Sequence, residues 1–309
     1  MANRAALFLL VFFLTASSAA YLYYMIDHKL MDVNTAGLIL AGITLLVLAA
    51  AQINNFYIYF LHAVNTPGAW QLLTVHYLSV RDHTVSAGRL LEANYNLFKL
   101  NVLLRRFAQA EKFHDPLGET MIVKTRLFEY RILNAMYYYG IADFKKLSDA
   151  LGRIQPETVR QQNTLSGRKK LFIHENFYQL SALNLIHEKK LTEAYHSVNK
   201  GIEQKNTALL QYTLGVVNYH RRILEDAVQE LERALSMSGK KNIFIVIPAC
   251  YYLFLIYCEM GRYRIGKDNF DRMKNAGSLY DRENVFSDLI KSADYKLTEL
   301  FRSTAPAEN

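Results

Sequence analysis

Apolar positions along this chain fall into two patterns. Near the N-terminus they run without interruption: "AALFLLVFFLTASSAAYLYYMI" (5–26) carries no charge, and "TAGLILAGITLLVLAAA" (35–51) follows a short polar link. From residue 65 onward they recur at three- and four-residue intervals between charged positions, the mark of amphipathic helices that bury one face. Strict alternation of β-branched and polar residues is missing, and with only 5 Pro and 14 Gly in 309 residues the chain has few places to break a helix. The pattern predicts an all-α protein. Helix starts are expected at Thr66-Pro67, Asp115-Pro116 and Gln155-Pro156-Glu157, where Pro suits the first helical position, and a last helix over 284–301.

A helix needs about 20 apolar residues to cross a hydrocarbon core, so the two N-terminal runs predict a transmembrane helical hairpin over residues 1–64. Tyr21, Tyr23, Tyr24, Phe56, Tyr57, Tyr59 and Phe60 would sit at the interfaces. Small residues such as Ala16, Ser17, Ala36 and Gly37 would let the two backbones approach. The first run also reads as a signal peptide, with Arg4 ahead of an apolar stretch and Ser18-Ala19-Ala20 as a cleavage site; its continuation through "YLYYMI" favours the span. The expectation is an integral protein of the plasma membrane, touching lipid through residues 5–61, with its C-terminal body on the cytoplasmic side.

Within the body one spacing recurs. In "LGVVNYHRRILEDAVQELERAL" (214–235), Leu214-Gly215 on one helix meets Ala227, Leu231, Ala234 and Leu235 on the next. One unit earlier the same slots hold Ala182, then Ala194, Val198 and Gly201. One unit later they hold Leu253, Gly261, Tyr263, Gly266 and Phe270, with Phe254 where a small residue is expected. The loops "SGRKKLFI" (166–173) and "SGKKNIFI" (238–245) repeat as well. These residues resemble the tetratricopeptide repeat, a helix-turn-helix unit of roughly 34 residues. The resemblance covers 172–275; upstream, "NAMYYYGIADFKKLSDALGRI" has Gly140 but no clean register. It implies a TPR-like α-solenoid, organised as juxtamembrane helices and degenerate repeats over 65–165, then repeats with a C-terminal capping helix over 166–309.

Charge and chemistry refine this picture little. The net charge is +8, from 36 Lys and Arg against 28 Asp and Glu, and the basic pairs are scattered, which fits solvated helix faces and gives no expectation of nucleic acid. The two cysteines, Cys250 and Cys258, would stand roughly 12 Å apart on one helix, too far for a disulfide. The 9 histidines form no metal-ligand spacing, and no nucleophile elbow, phosphate loop or dinucleotide fingerprint occurs. No catalytic residue, metal or cofactor is expected, and the chain reads as a non-enzyme.

A stacked helical repeat instead offers a concave face to a peptide or helix. The family register implies groove slots at Gln179, Leu183 and Ile186, at Tyr212, Val216 and Tyr219, and at Tyr251 and Leu255. Tyrosine there would provide rigid contact area with a polar tip. The expected function is a membrane-anchored scaffold or adaptor that holds a partner protein or peptide in this groove. The alternatives are a peptide- or ligand-responsive regulator and, third, a membrane enzyme whose site would centre on Trp70, His76 and His83.

Overall fold

A computed structural model of the chain describes residues 67–114, 117–118, 122, 126–161, 165–239, 242–281 and 284–304, together with 20–21, 23–27, 32, 35, 39–42 and 58. Among the described residues all regular structure is helical. The chain divides into two compact units, Met1–Leu100 and Asn101–Asn309.

The first unit contains α1 (Pro67–Asp82) and most of α2 (Ala87–Leu103). Helix α1 opens at Pro67, as the sequence predicts, and buries Ala69, Trp70 and Leu73. The expected integral membrane protein is corrected here: among the described residues no helix is long and apolar enough to cross a membrane. The two runs expected to span, 5–26 and 35–51, lie for the most part outside the described residues. In the second unit even the strongly apolar helix Ile243–Glu259 has 17 residues, fewer than the about 20 that a span needs, and it packs against other helices.

The second unit continues with α3 (Phe107–His114), α4 (Leu127–Gly140), α5 (Phe144–Gly152), α6 (Pro156–Gln161) and α7 (Gly167–His187). It ends with α8 (Leu191–Gln204), α9 (Ala208–His220), α10 (Leu224–Ser238), α11 (Ile243–Glu259), α12 (Tyr263–Tyr280) and α13 (Ser287–Thr304). Helix α6 begins at Pro156, as predicted; the expected start at Asp115-Pro116 lies outside the described residues. Helices pair as hairpins, α4 with α5, α7 with α8, α9 with α10 and α11 with α12. Each first helix also touches the next first helix, and each second helix touches the first helix that follows it.

One turn closes every hairpin. Ala142, Lys189, Arg222 and Gly261 all have positive φ, between 59° and 70°, as does Arg105 at 55° after α2. In each case the turn N–H bonds back three residues and the following N–H bonds back five, as in Lys189 to Ile186 and Lys190 to Leu185. This arrangement satisfies the last carbonyls of the first helix and reverses the chain. Only one of the five turns uses glycine; each of the others places a residue with a Cβ in the left-handed region, at a cost of about 1 kcal/mol. Side chains then start several of the helices. Asp143, Ser166 and Thr207 accept hydrogen bonds from the N–H groups of Lys146, Lys169 and Leu210. The Asp281 carboxylate, 4% exposed, accepts from Val285 and Phe286 at 2.8 Å each ahead of α13.

Counted from these turns, the recurrent spacing falls into place. Ala135, Ala182, Gly215 and Phe254 occupy one slot on the first helices, and Leu147, Ala194, Ala227 and Gly266 the slot that faces it; all are buried. Where the first slot is large, the second is small: Phe254 passes Gly266, whose backbone leaves it room, and stacks at 5.9 Å on Phe270. In α4 and α5 the swap is reversed, with Ala135 and Leu147 in one cluster. Close packing requires the sum of the two volumes to be kept, whichever helix carries the bulk.

Gly215 is where this packing is tightest. A Cβ there would stand 2.7 Å from Leu231 Cγ and 3.2 Å from the Ala227 carbonyl oxygen. Alanine would gain about 0.5–1 kcal/mol of helix propensity, but overpacking a filled core costs about 1–3 kcal/mol. Gly215→Ala is therefore expected to lower the stability measured by urea unfolding.

Glu175 on α7 sits in a partly buried position beside Thr207, the N-cap of α9. Burial pushes its carboxyl up to about 7, and a hydrogen bond with Thr207 only partly offsets this. The folded state thus favours the protonated form, a contribution fully present below the ordinary value of 4.5 and lost as pH rises through about 7. Glu175→Gln removes the penalty of ionisation. Thermal melts from about pH 5 to about pH 8 are expected to show the variant gaining on wild type by on the order of 2 kcal/mol.

Candidate functional site

Helix geometry brings the tyrosines of α9 and α11 together. Tyr212 and Tyr219 are two turns apart on α9 and so share a face, and both are half-buried against the core formed with α11. Tyr252 of α11 lies between them, edge-on to Tyr212 at 6.2 Å and to Tyr219 at 5.5 Å, with Tyr251 beside it at 5.7 Å. Edge-to-face contacts at these distances set the positive rim of one ring against the negative face of another and hold the cluster rigid.

The charged end of the cluster is built by a turn. Arg222, at positive φ, directs its guanidinium to Glu259 of α11, with Nη1 2.7 Å from Oε2. The Tyr219 hydroxyl donates to the other oxygen, Oε1, at 2.6 Å. Arg222 is largely exposed and Glu259 partly so, which makes this pair worth more as a geometric clamp than as stability. A second cation, Arg105, holds its guanidinium 5.3 Å from the Phe286 ring centre, within cation–π range.

Desolvation dominates the titration of the cluster. Burial raises the phenols of Tyr139, Tyr212, Tyr219 and Tyr252, and at Tyr219 the bond to Glu259 raises it further. Arg105 lowers Tyr139 and Tyr212 slightly, which places all three in one electrostatic neighbourhood.

The groove residues expected from the sequence divide into three groups. Tyr212, Tyr219 and Tyr251 meet in this cluster. Val216 and Leu255 are core, 0% and 7% exposed, because α9 and α11 pack side by side along that line. Gln179, Leu183 and Ile186 lie half-buried on α7. Sequence reasoning missed Tyr252, Glu259 and Arg222. The doublet Tyr251-Tyr252 was visible, but a repeat register selects only one of two adjacent residues.

The histidines take structural contacts. The His187 ring stacks on Phe144 at 3.5 Å, that of His114 lies on Tyr137 at 5.2 Å, and His174 Nε2 is 3.1 Å from the Gly201 carbonyl oxygen. In the first unit Trp70 is buried, burial lowers His76, and His83 Nδ1 is 2.8 Å from the Ser79 carbonyl oxygen. Among the described residues no group of three or more His, Cys, Asp or Glu is placed to hold a metal ion. Cys250 and Cys258 are both buried free thiols, and burial pushes Cys250 up to about 12.

Comparison with known protein families, with curated proteins and with solved structures finds no match to this chain.

Because the fold favours neutral phenols, their contribution to stability is present below the ordinary value of 10.0 and lost as pH rises through the raised values. Alkaline titration followed by phenolate absorbance is expected to show late-ionising tyrosines whose deprotonation coincides with unfolding. Tyr252→Phe, which keeps the ring, should remove one of them and move unfolding to higher pH.

Proposed function

We propose that residues 127–304 form a TPR-like α-solenoid acting as a scaffold or adaptor, which binds a partner protein or peptide on its first-helix side. The observation that carries this reading is the asymmetry of packing. First helices α4, α7, α9, α11 and the closing helix α13 touch in succession, whereas second helices touch mainly first helices. Crowding along one side and spreading along the other bends a stack toward its first helices, and such concave faces are where helical repeats hold extended partners.

The tyrosine cluster supports the same reading. Tyrosine loses little rotamer freedom on binding and combines apolar area with a hydrogen-bonding tip, the qualities of interface anchors. Glu259, fixed by Tyr219 and Arg222, adds a carboxylate beside that surface. The partner suited to it is an amphipathic segment with apolar anchors. Recognition by a preformed surface is the mechanism, and the chain is proposed as a binding protein with no reaction of its own. A peptide- or ligand-responsive regulator is the second reading, and the polar cleft described below is the observation that favours it.

Photo-crosslinkers placed one at a time in living cells at Gln179, Tyr212 and Tyr251, and at the outward positions Arg233 and Lys274, test the proposal. The first set is expected to capture one shared partner that the second set does not. Equal labelling from both faces would return the tyrosines to a purely structural role.

A further inference from the structure

A cleft of about 220 Å³ lies between α4 and α5, lined by Arg131, Asn134 and Tyr138 from one helix and Lys146, Asp149, Ala150 and Arg153 from the other. The spacings are those of one stripe along each helix. Because the helices run antiparallel, the charges alternate along its length. At one end the Arg131 guanidinium donates from Nη1 to the Arg153 carbonyl oxygen at 2.6 Å, bringing the two arginines together. At the other end Lys146 Nζ lies 5.7 Å from the Tyr138 ring centre. Between the two cationic ends stand Asp149 and Asn134. Asn134 is only 9% exposed, and its Oδ1 is buried and accepts no hydrogen bond.

A buried acceptor without a donor costs free energy. It is offset most simply by a ligand that brings a donor to the middle of the cleft. That ligand must also carry anionic groups toward both ends, which the helix rise places about 10 Å apart. We propose that this cleft binds a small acidic α-amino acid of the glutamate class. Its two carboxylates reach the arginine end and the lysine end, and its ammonium group lies between, donating to Asn134 Oδ1 and Asp149. The arginine end is the stronger, since Arg131 is already held in place and guanidinium pairs with carboxylate through two parallel hydrogen bonds. The lysine end is weaker because Lys146 is shared with Asp143, 3.3 Å from its Oδ2. The site uses none of the tyrosine cluster and stands independently of the partner-binding reading.

Isothermal titration of the full chain at fixed ionic strength tests this with three probes. Glutamate carries all three groups, glutarate lacks the amine, and 4-aminobutanoate lacks one carboxylate. The expected result is saturable binding of glutamate at one site per chain, with the other two weaker by at least about tenfold, equivalent to about 1.4 kcal/mol. Asp149→Asn, at an exposed position, should shrink the preference for glutamate over glutarate, and Arg153→Gln, also exposed, should weaken both dicarboxylates. Circular dichroism of the two variants verifies that they are folded. The proposal is overturned by the absence of saturable glutamate binding, by equal binding of the three probes, or by variants that bind as wild type does.

Discussion

Everything in the second unit depends on a backbone conformation that most residues avoid. At five points the chain enters the left-handed region for one residue, closes two hydrogen bonds across the end of a helix, and returns antiparallel to itself. The exit direction is fixed by those two bonds, so the next helix lies at the same angle to the last in every hairpin. The small residues then meet, the hairpins can stack, and the tyrosines of neighbouring hairpins fall side by side. Lysine, arginine and alanine accept this conformation at four of the five positions, which shows that the packing gained is worth more than the local strain.

Much of this was legible in the sequence and some was not, for physical reasons. Helix is written in the three- and four-residue periodicity, and hairpin packing in the small residues of 182–235. The turns are written only faintly. Gly261 is the one turn glycine, while Gly140, which a sequence reader takes for a turn, is the last residue of α4 and lies against the Phe107 ring. The true turn residue is Ala142, and nothing in alanine's chemistry announces a positive φ. Once all the turns are aligned, the missing register upstream of 166 appears, with Phe144 and Leu147 in the slots of Leu224 and Ala227.

The functional surface shows the same division. Tyr212 and Tyr219 are two helical turns apart and could be paired by counting. Tyr252 could not, because its role depends on the rotation of α11 about its axis, set by Phe254 and Phe270 in the core. Glu259 and Arg222 escape for another reason: they belong to different hairpins, and only a stack in known register brings a turn residue to the end of the following first helix. The alternating charges of α4 and α5 are likewise invisible as a one-dimensional string, since Arg131 and Arg153 become neighbours only through the reversal at Ala142.

The exchange of bulk between facing slots has a consequence for descent. A chain assembled from identical repeats could duplicate, delete or recombine them freely, because any second helix would fit any first. Here Phe254 opposite Gly266 and Ala135 opposite Leu147 make each hairpin a matched key and lock. Crossing the first helix of one with the second helix of another would set Phe254 against Leu147, or Ala135 against Gly266, giving a clash or a void. Whole hairpins remain transferable while half-hairpins do not, so the unit on which selection can act in this chain is the pair of helices.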